Sequence, residues 1–260
     1  MPFNLFDVPV YYISFKRNNR TETALQTQGF KNINHFEAID GRKFDPKMLR
    51  DNHLITARSY TDLIDGREQH SGLTTLGAVG CTFSHLSLWK KCVDDNMNYI
   101  IIAEEDVMFD RPFTQKDIRG IVSFMETHEN SIFVSAAVYR TGNIYNFIGL
   151  HFYIVSRDAC IEMVKDALPI DVQTDAYISH LADLNRVSLD GNHSLAHQIH
   201  HPSSIQTYCF KCDVPKEKRV YMRFIMLITF GVVVLCILVM VYFLRYRSCN
   251  QNLVACRVKS

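Results

Sequence analysis

Three consecutive carboxylates follow a strongly apolar segment near the middle of the chain. Residues 99–103 (YIIIA) predict a buried β-strand, and Glu104, Glu105 and Asp106 come directly after it. In open α/β sheets, ligands bind beyond the carboxyl ends of the strands. Buried carboxylates that lie side by side repel one another, and a divalent cation with oxygen ligands offsets that repulsion. The pattern is compatible with a divalent-cation site that could also neutralise a diphosphate, and a solvated acidic turn is the commoner alternative for three consecutive acids.

A second pair of carboxylates, Asp171 and Asp175, lies where the chain enters a predicted helix at residues 174–185. Their spacing of four would allow both side chains to share one helical face. One could take the proton of an attacking hydroxyl group as a general base, while the other holds that hydroxyl or a metal. We favour Asp175 as the base. The alternative is a pair of acids stabilised by the dipole at a helix N-terminus.

Predicted strands and helices alternate along the chain, and this alternation favours one α/β domain with a largely parallel sheet. The segment after Asn52 and up to residue 75, and residues 190–215, are predicted to be loops. The predicted strands are residues 8–15, 33–39, 99–103, 132–138 and 147–155, and the predicted helices are residues 21–28, 45–52, 84–95, 157–167 and 174–185.

The C-terminal part of the chain differs from the rest in charge and hydropathy. Residues 224–244 carry no charge and would form a helix of about 31 Å, enough to cross a bilayer. Residues 216–260 hold eight basic residues and one acid, which leaves 20 basic and 26 acidic residues in 1–215. That acidic balance argues against nucleic acid as a partner. We predict a single-pass C-terminal anchor in contact with membrane lipid, and, because no signal-peptide pattern is present, a cytosolic domain.

Five segments of the chain, in order, resemble glycosyltransferase family 25, the family of bacterial lipooligosaccharide galactosyltransferases and procollagen galactosyltransferases. The resemblance covers about residues 8–207. The five segments are VYYISFKRNNR at 10–20, FEAIDG at 36–41, LGAVGCTFSHLSLW at 76–89, the apolar strand with its acidic triplet at 99–106, and residues 149–171, which include YIVS and end in Pro-Ile-Asp.

This resemblance implies a GT-A-like, Rossmann-type fold that binds a nucleotide sugar. It also implies a UDP-sugar donor, a divalent metal and inversion at the anomeric carbon. Glu104 and Asp106 would be the outer residues of the metal motif, with Asp106 the direct ligand. The family usually has aspartate at the position of Glu105. The extra methylene of glutamate moves the carboxylate, so we expect this difference to affect metal affinity and activity.

Other residues are candidates for contacts with the donor. Arg17 and Arg20 either contact its diphosphate or form a solvated basic turn. Ser84 and His85 either lie beside its uracil or phosphates or serve as a helix cap and a packed core histidine. Asp40 is either a turn residue or a hydrogen-bond partner of the donor. A zinc site is a further alternative, formed by two cysteines and two of four nearby histidines: His193, His197, His200, His201, Cys209 and Cys212.

We therefore predict an inverting glycosyltransferase that moves galactose or glucose from UDP to a hydroxyl group of a glycan, a protein or a lipid. The predicted organisation is a glycosyltransferase domain at 1–207, a basic linker at 208–223, a transmembrane helix at 224–244 and a short basic tail at 245–260. One alternative is a catalytically inactive, membrane-tethered binding module. Another is a metal-dependent phosphotransferase, although the sequence has no Gly-x-x-x-x-Gly-Lys loop.

Overall fold

Helices and strands alternate along the domain, as the sequence predicts. The computed structural model describes residues 3–65, 72–141, 144–147 and 149–199. Its strands are β1 (Val10–Ser14), β2 (Ile33–Glu37), β3 (Tyr99–Glu104), β4 (Val107–Met108), β5 (Ser131–Val134), β6 (Tyr139–Thr141), β7 (Ile144–Asn146), β8 (Phe152–Ser156), β9 (Ser188–Gly191) and β10 (His197–Gln198). Its α-helices are α1 (Asn19–Thr27), α2 (Pro46–Asp51), α3 (Ala57–Asp65), α4 (Leu76–Asp94), α5 (Gln115–Thr127), α6 (Arg157–Lys165) and α7 (Thr174–Asp183).

Six strands form the central sheet, in the order β2-β1-β3-β8-β5-β9. β1 is parallel to β2 and β3, and β5 is parallel to β9, but β8 is antiparallel to both of its neighbours. The predicted α/β class is therefore confirmed, whereas the prediction of a largely parallel sheet is wrong around β8. Parallel neighbours require a long crossover, usually a helix, and the described residues between β5 and β8 form only the β6–β7 hairpin.

The sheet is buried on both faces, and this explains the unbroken apolar run in β3. Ile100 and Ile102 face a layer that contains α4, α6 and α7, with Trp89 at its centre. Ile101 and Ala103 face the opposite layer, which includes Met125 of α5. A strand covered on both faces has no solvent-facing position for polar residues. The first carboxylate therefore appears only at Glu104, where the strand ends.

Helix α4 begins at Leu76, eight residues before the predicted start at Ser84. Its N-terminus is capped by Thr75, whose hydroxyl accepts a hydrogen bond from the Ala78 N–H at 3.1 Å. Gly80 therefore lies inside the helix, where its lack of a side chain allows the turn at residues 39–41 to pack directly against the helical backbone. A Cβ atom at Gly80 would lie only 2.4 Å from the Ile39 oxygen.

Further elements lie in segments for which the sequence predicted a loop or no element, among them α3, α5 and β10. In α3, the Thr56 hydroxyl accepts a hydrogen bond from the Ser59 N–H at 3.1 Å and caps the helix. In α5, Thr114 and Asp117 form a reciprocal capping box. β10 falls within the predicted loop at 190–215, and it forms because it pairs antiparallel with β4, a contact between distant parts of the chain.

The predicted single-pass anchor, and the membrane localisation that depended on it, are not supported and are corrected here. No helix within the described residues has both the length and the apolar character needed to cross a bilayer. Residues 224–244, on which the prediction rested, lie outside the described part of the chain, as do the predicted linker at 208–223 and tail at 245–260. The predicted domain boundaries therefore stay predictions.

Replacing Gly80 by alanine tests the packing of α4 against the 39–41 turn. The new methyl group would overlap backbone atoms that have no room to move, so Gly80→Ala is expected to lower the free energy of unfolding by about 1–3 kcal/mol. Gly120 is the matched control, because it also lies inside a helix but has no atom within 4 Å of an added Cβ. Gly120→Ala is expected to raise stability by about 0.5–1 kcal/mol. Denaturant unfolding of both variants measures the difference, and equal effects would contradict the close packing at Gly80.

Candidate functional site

The acidic triplet splits into two half-buried residues and one exposed residue. Glu104 ends β3, and Glu105 and Asp106 form the turn to β4. Glu104 and Asp106 are half-buried, whereas the Glu105 side chain is exposed. The Glu105 carbonyl oxygen accepts hydrogen bonds from the Arg20 guanidinium at 3.0 Å and from the Thr21 hydroxyl at 2.7 Å. This fastening of the turn to α1 keeps the extra methylene of Glu105 away from the two half-buried acids.

Asp106 lies in a partly buried environment next to another negatively charged side chain. Burial and the charge of Glu104 raise the pKa of its carboxyl group to about 6. One of its oxygens, Oδ1, is buried and has no hydrogen-bond partner among the described residues. The ion pairs found in the described part of the chain include none between a lysine or arginine and Glu104, Asp106 or Asp175. Within the described residues, the cluster therefore holds negative charge that no lysine or arginine neutralises through an ion pair.

Asp175 belongs to the same cluster. It lies in the first turn of α7, and the hydroxyl groups of Thr174 and Thr82, 3.0 Å apart, hold this end of α7 against α4. Burial raises the pKa of Asp175, and the charge of Glu104 adds to that rise, while the N–H groups of Ala176 (2.8 Å) and Gly149 (3.4 Å) donate to the carboxylate. A carboxylate with a raised pKa in a partly enclosed site has the properties of a general base.

Asp171 lies elsewhere, among residues of α3. Its carboxylate accepts a hydrogen bond from the Thr56 hydroxyl at 2.5 Å and lies 3.7 Å from the Arg58 guanidinium. Because α7 begins at Thr174, Asp171 precedes the helix and does not share a helical face with Asp175. The structure therefore separates two acids that the sequence placed together.

A polar chain crosses the core from α4 to Glu104. Cys81, His85 and Trp89 follow one another at intervals of four and form one stripe of α4. The His85 Nε2 atom lies 3.3 Å from Glu104 Oε1, and its Nδ1 atom lies 2.9 Å from the Tyr153 hydroxyl. The Trp89 indole N–H donates to the same hydroxyl at 2.8 Å. His85, Trp89 and Tyr153 are all 0% exposed, so these contacts are shielded from water.

Cys81 lies beside this chain. Its sulfur is 4.0 Å from Glu104 Oε1, and the potential ligand atoms of Cys81, His85 and Glu104 all lie within 4.8 Å of one another. Burial raises the pKa of the Cys81 thiol well above its ordinary value, and the charges of Glu104, Asp175 and Asp106 raise it further. Burial and the neighbouring acids therefore disfavour the thiolate form of Cys81.

β10 lies against the acidic turn from the other side. The Ile199 N–H donates to the Asp106 carbonyl at 3.0 Å, and the Gln198 amide donates to Glu104 Oε2 at 3.3 Å. The same amide lies beside the Asp106 carboxylate and lowers its pKa, although burial outweighs that effect. His197 lies 3.3 Å from Asp110. The other zinc candidates from residue 200 onward lie outside the described residues.

The remaining predicted site residues lie at the edge of the cluster or apart from it. Arg17 and Arg20 line an open pocket together with Glu105, and Arg17 forms an ion pair with Glu22 at 2.7 Å. Ser84 accepts a hydrogen bond from the Ile39 N–H at 2.9 Å and donates to the Gly80 carbonyl. It thus lies in the middle of α4 and does not cap it. Asp40 caps a 3₁₀ turn and forms an ion pair with Arg42 at 2.7 Å, so its position is that of a turn residue.

Five residues of the site were not among the sequence-predicted candidates: Cys81, Trp89, His151, Tyr153 and Gln198. The spacing of Cys81, His85 and Trp89 was a local signal that could have identified the α4 stripe. His151 is nearly fully buried, its Nε2 atom donates to the Ala196 carbonyl at 3.1 Å, and its Nδ1 atom has no partner among the described residues. No local pattern marks His151, Tyr153 or Gln198, because strand pairing with distant segments places them.

Comparison with known proteins identifies a family match over the region that contains Glu104 and Asp106. The model of glycosyltransferase family 25, described as an LPS biosynthesis protein, matches residues 7–142, which is more than half of the chain. A glycosyltransferase 25 family member from Anopheles gambiae is 25% identical over 118 residues, covering 44% of this chain and 19% of that protein.

Two mammalian proteins are also similar to part of this chain. Human procollagen galactosyltransferase 2 is 28% identical over 110 residues, covering 41% of this chain and 17% of the relative. A rat protein named probable inactive glycosyltransferase 25 family member 3 is 34% identical over 82 residues, covering 31% of this chain and 13% of the relative. The matched region spans less than a fifth of each of these curated relatives. The predicted resemblance is confirmed for the four segments that lie within residues 7–142, and the chain belongs to glycosyltransferase family 25.

Proposed function

We propose that this domain is a metal-dependent glycosyltransferase with a GT-A-type fold, which transfers galactose or glucose from a UDP-sugar to a hydroxyl acceptor with inversion. The observation that carries the proposal is the convergence of Glu104, Asp106 and Asp175 at the end of β3 in a family 25 domain. A site of this kind lies where α/β sheets bind nucleotides.

The residues at this site fit a hard divalent cation. Asp106 Oδ1 is buried without a hydrogen-bond partner among the described residues, and the neighbouring acids have no lysine or arginine as a counter-ion in the same part of the chain. Glu104 and Asp106 would hold Mn²⁺ or Mg²⁺ through carboxylate oxygens, the ligands that these ions prefer. When bound, the cation would neutralise negative charge on the UDP leaving group.

Arg17 and Arg20 suit the donor's diphosphate. They line the open pocket at the end of β1, beside the first turn of α1 and next to the acidic turn. Free N–H groups at a helix N-terminus and guanidinium groups both favour phosphate oxygens. The donor's diphosphate would therefore lie between these arginines and Glu104 with Asp106.

Asp175 suits the role of general base. As the acceptor oxygen forms its bond to the anomeric carbon, the bond from that carbon to the diphosphate oxygen breaks, and the acceptor's proton moves to the Asp175 carboxylate. The raised pKa of Asp175 makes it a stronger base than an exposed aspartate. A protein, glycan or lipid hydroxyl group would serve equally in this step.

A second candidate function is a binding module that keeps the fold and the nucleotide-sugar site but lacks turnover. The name of the rat relative, probable inactive glycosyltransferase 25 family member 3, favours it. The two candidates differ in one measurement, because both bind UDP but only the transferase releases it from a UDP-sugar.

The transferase proposal is tested with the full chain, Mn²⁺, and UDP-galactose or UDP-glucose. Asp106→Asn is expected to lower UDP release by about 10²-fold or more, because it removes a charged ligand from the site. Asp110→Asn is the matched control, since Asp110 is an exposed acid four residues along the chain, whose described partner is His197. No turnover and no UDP binding by calorimetry would remove the proposal, whereas UDP binding without turnover would establish the binding module.

Asp175→Asn and Asp171→Asn test the separation of the two acids. Asp175→Asn removes the proposed base and is expected to lower kcat by about 10²–10⁴-fold, with UDP affinity retained. Asp171→Asn disrupts the contacts with Thr56 and Arg58 and is expected to lower the melting temperature instead. Steady-state kinetics and thermal unfolding of both variants decide the assignment. A larger loss of kcat in Asp171→Asn than in Asp175→Asn would reverse it.

The pH dependence of stability tests the environment of Asp106. Its pKa of about 6 in the folded protein exceeds the value of about 3.9 in an unfolded chain, so the folded state binds this proton more tightly. The resulting contribution to stability is lost as pH rises from about 4 to about 6. Asp106→Asn avoids that loss, so the metal-free variant is expected to melt above the wild type at neutral pH, and the gap should close at pH 4. A gap that is independent of pH would contradict the raised pKa.

A further inference from the structure

The buried chain Trp89–Tyr153–His85 ends on a carboxylate that the proposed function assigns to the metal, and its hydrogen bonds allow only one arrangement of protons at low cost. An indole N–H can only donate, so the Tyr153 oxygen accepts from Trp89 at 2.8 Å. The Tyr153 hydroxyl proton then points to its other neighbour, the His85 Nδ1 atom, at 2.9 Å. Nδ1 is thereby an acceptor, and the neutral ring carries its proton on Nε2.

The opposite tautomer would be costly in this part of the core. If Nδ1 carried the proton, the Tyr153 oxygen would accept two hydrogen bonds, and its own proton would have no partner among the described contacts. Both side chains are 0% exposed, so no bulk water could satisfy that hydroxyl. Leaving a buried polar group without a hydrogen-bond partner is unfavourable. The hydrogen bonds from Trp89 to Tyr153 and from Tyr153 to His85 therefore fix the Nε2–H tautomer of His85.

With that tautomer, His85 is a hydrogen-bond donor to Glu104 and is not available as a metal ligand. The Nε2–H group donates to Glu104 Oε1 at 3.3 Å, while Gln198 donates to Oε2 at 3.3 Å. Each carboxylate oxygen keeps a second lone pair, and the plane of the carboxylate is held from both sides. A transition-metal site formed by Cys81, His85 and Glu104, whose potential ligand atoms lie within 4.8 Å of one another, would therefore lack its imidazole ligand.

We propose that Trp89 and Tyr153 act through His85 as positioning residues, which orient the Glu104 carboxylate for a hard divalent cation and prevent His85 from completing a Zn²⁺ site with Cys81. This inference rests on the proposed function for the assignment of Glu104 as a metal ligand. It adds three residues to the site and a basis for its metal preference. Ion binding by oxygen ligands alone is the behaviour of a Mn²⁺ or Mg²⁺ site, whereas imidazole and thiolate ligands favour zinc.

The proposal predicts opposite changes in the affinity for two metals when the Tyr153 hydroxyl is removed. In calorimetry with the full chain and the metal chloride alone, Tyr153→Phe is expected to weaken Mn²⁺ binding by about 10–100-fold, the usual cost of losing a partner that orients a ligand. The same variant frees His85 to protonate Nδ1, so its Zn²⁺ binding is expected to tighten, and Cys81→Ser should remove that gain. A purely structural role would weaken both metals together, and that result would overturn the proposal.

Controls separate positioning from folding. Tyr99→Phe removes a tyrosine hydroxyl from the opposite end of β3, and its Mn²⁺ affinity is expected to equal that of the wild type. If Tyr153→Phe fails to fold, two variants at residue 85 carry the test. His85→Gln keeps an N–H donor for Glu104 and is expected to retain Mn²⁺ binding, whereas His85→Leu is expected to lose about 10–100-fold. Equal Mn²⁺ affinity in these two variants would overturn the proposal.

The tautomer is measured without any metal. ¹⁵N spectra of the full chain, with the His85 signals assigned by their loss in His85→Gln, are expected to show a protonated Nε2 and a lone pair on Nδ1. A protonated Nδ1 would overturn the proposal. A wild type that binds no Mn²⁺ would overturn it as well, whereas a wild type that binds Mn²⁺ without transferring sugar would remove only the transferase function.

Discussion

Burial of negative charge at the end of β3 is the constraint on which the site depends. Glu104, Asp106 and Asp175 converge where the sheet ends, and the described groups that contact them are mostly neutral donors: an imidazole, an amide and backbone N–H groups. Such donors reduce the cost of burying a carboxylate but do not cancel its charge. The raised pKa values of Asp106 and Asp175 are the result of this incompletely compensated burial.

The fold concentrates these acids by bringing three separate chain segments to one strand end. β3 is apolar on both faces and can present a carboxylate only at its terminus. α4 approaches closely because Gly80 lets its backbone touch the 39–41 turn, and this approach brings His85 to Glu104. β10 covers the turn from the other side. α4 and β10 each supply one side-chain donor to Glu104, the carboxylate at the end of β3.

Sequence patterns predicted the parts of this arrangement that are set locally. The apolar strand with its acidic end, and most helices, follow from the hydropathy of neighbouring residues. The position of β8 could not be predicted in this way, because it enters between β3 and β5 antiparallel to both. Tyr153 reaches the face of β3 that carries Glu104 only through its register opposite Ile102. Asp171 and Asp175 failed as a shared-face pair because the helix starts three residues after Asp171.

The family pattern and the geometry lead to different conclusions about how much the glutamate at position 105 matters for the site. By sequence, glutamate where relatives have aspartate suggests a weakened metal motif. In the fold, the Glu105 side chain is exposed, and its carbonyl group fastens the turn to Arg20 and Thr21, a role that any residue type can fill through its backbone. The departure therefore leaves the half-buried acids unchanged. Because these acids are present together with their hydrogen-bond donors, the difference at Glu105 does not by itself favour the proposed binding module over the proposed transferase.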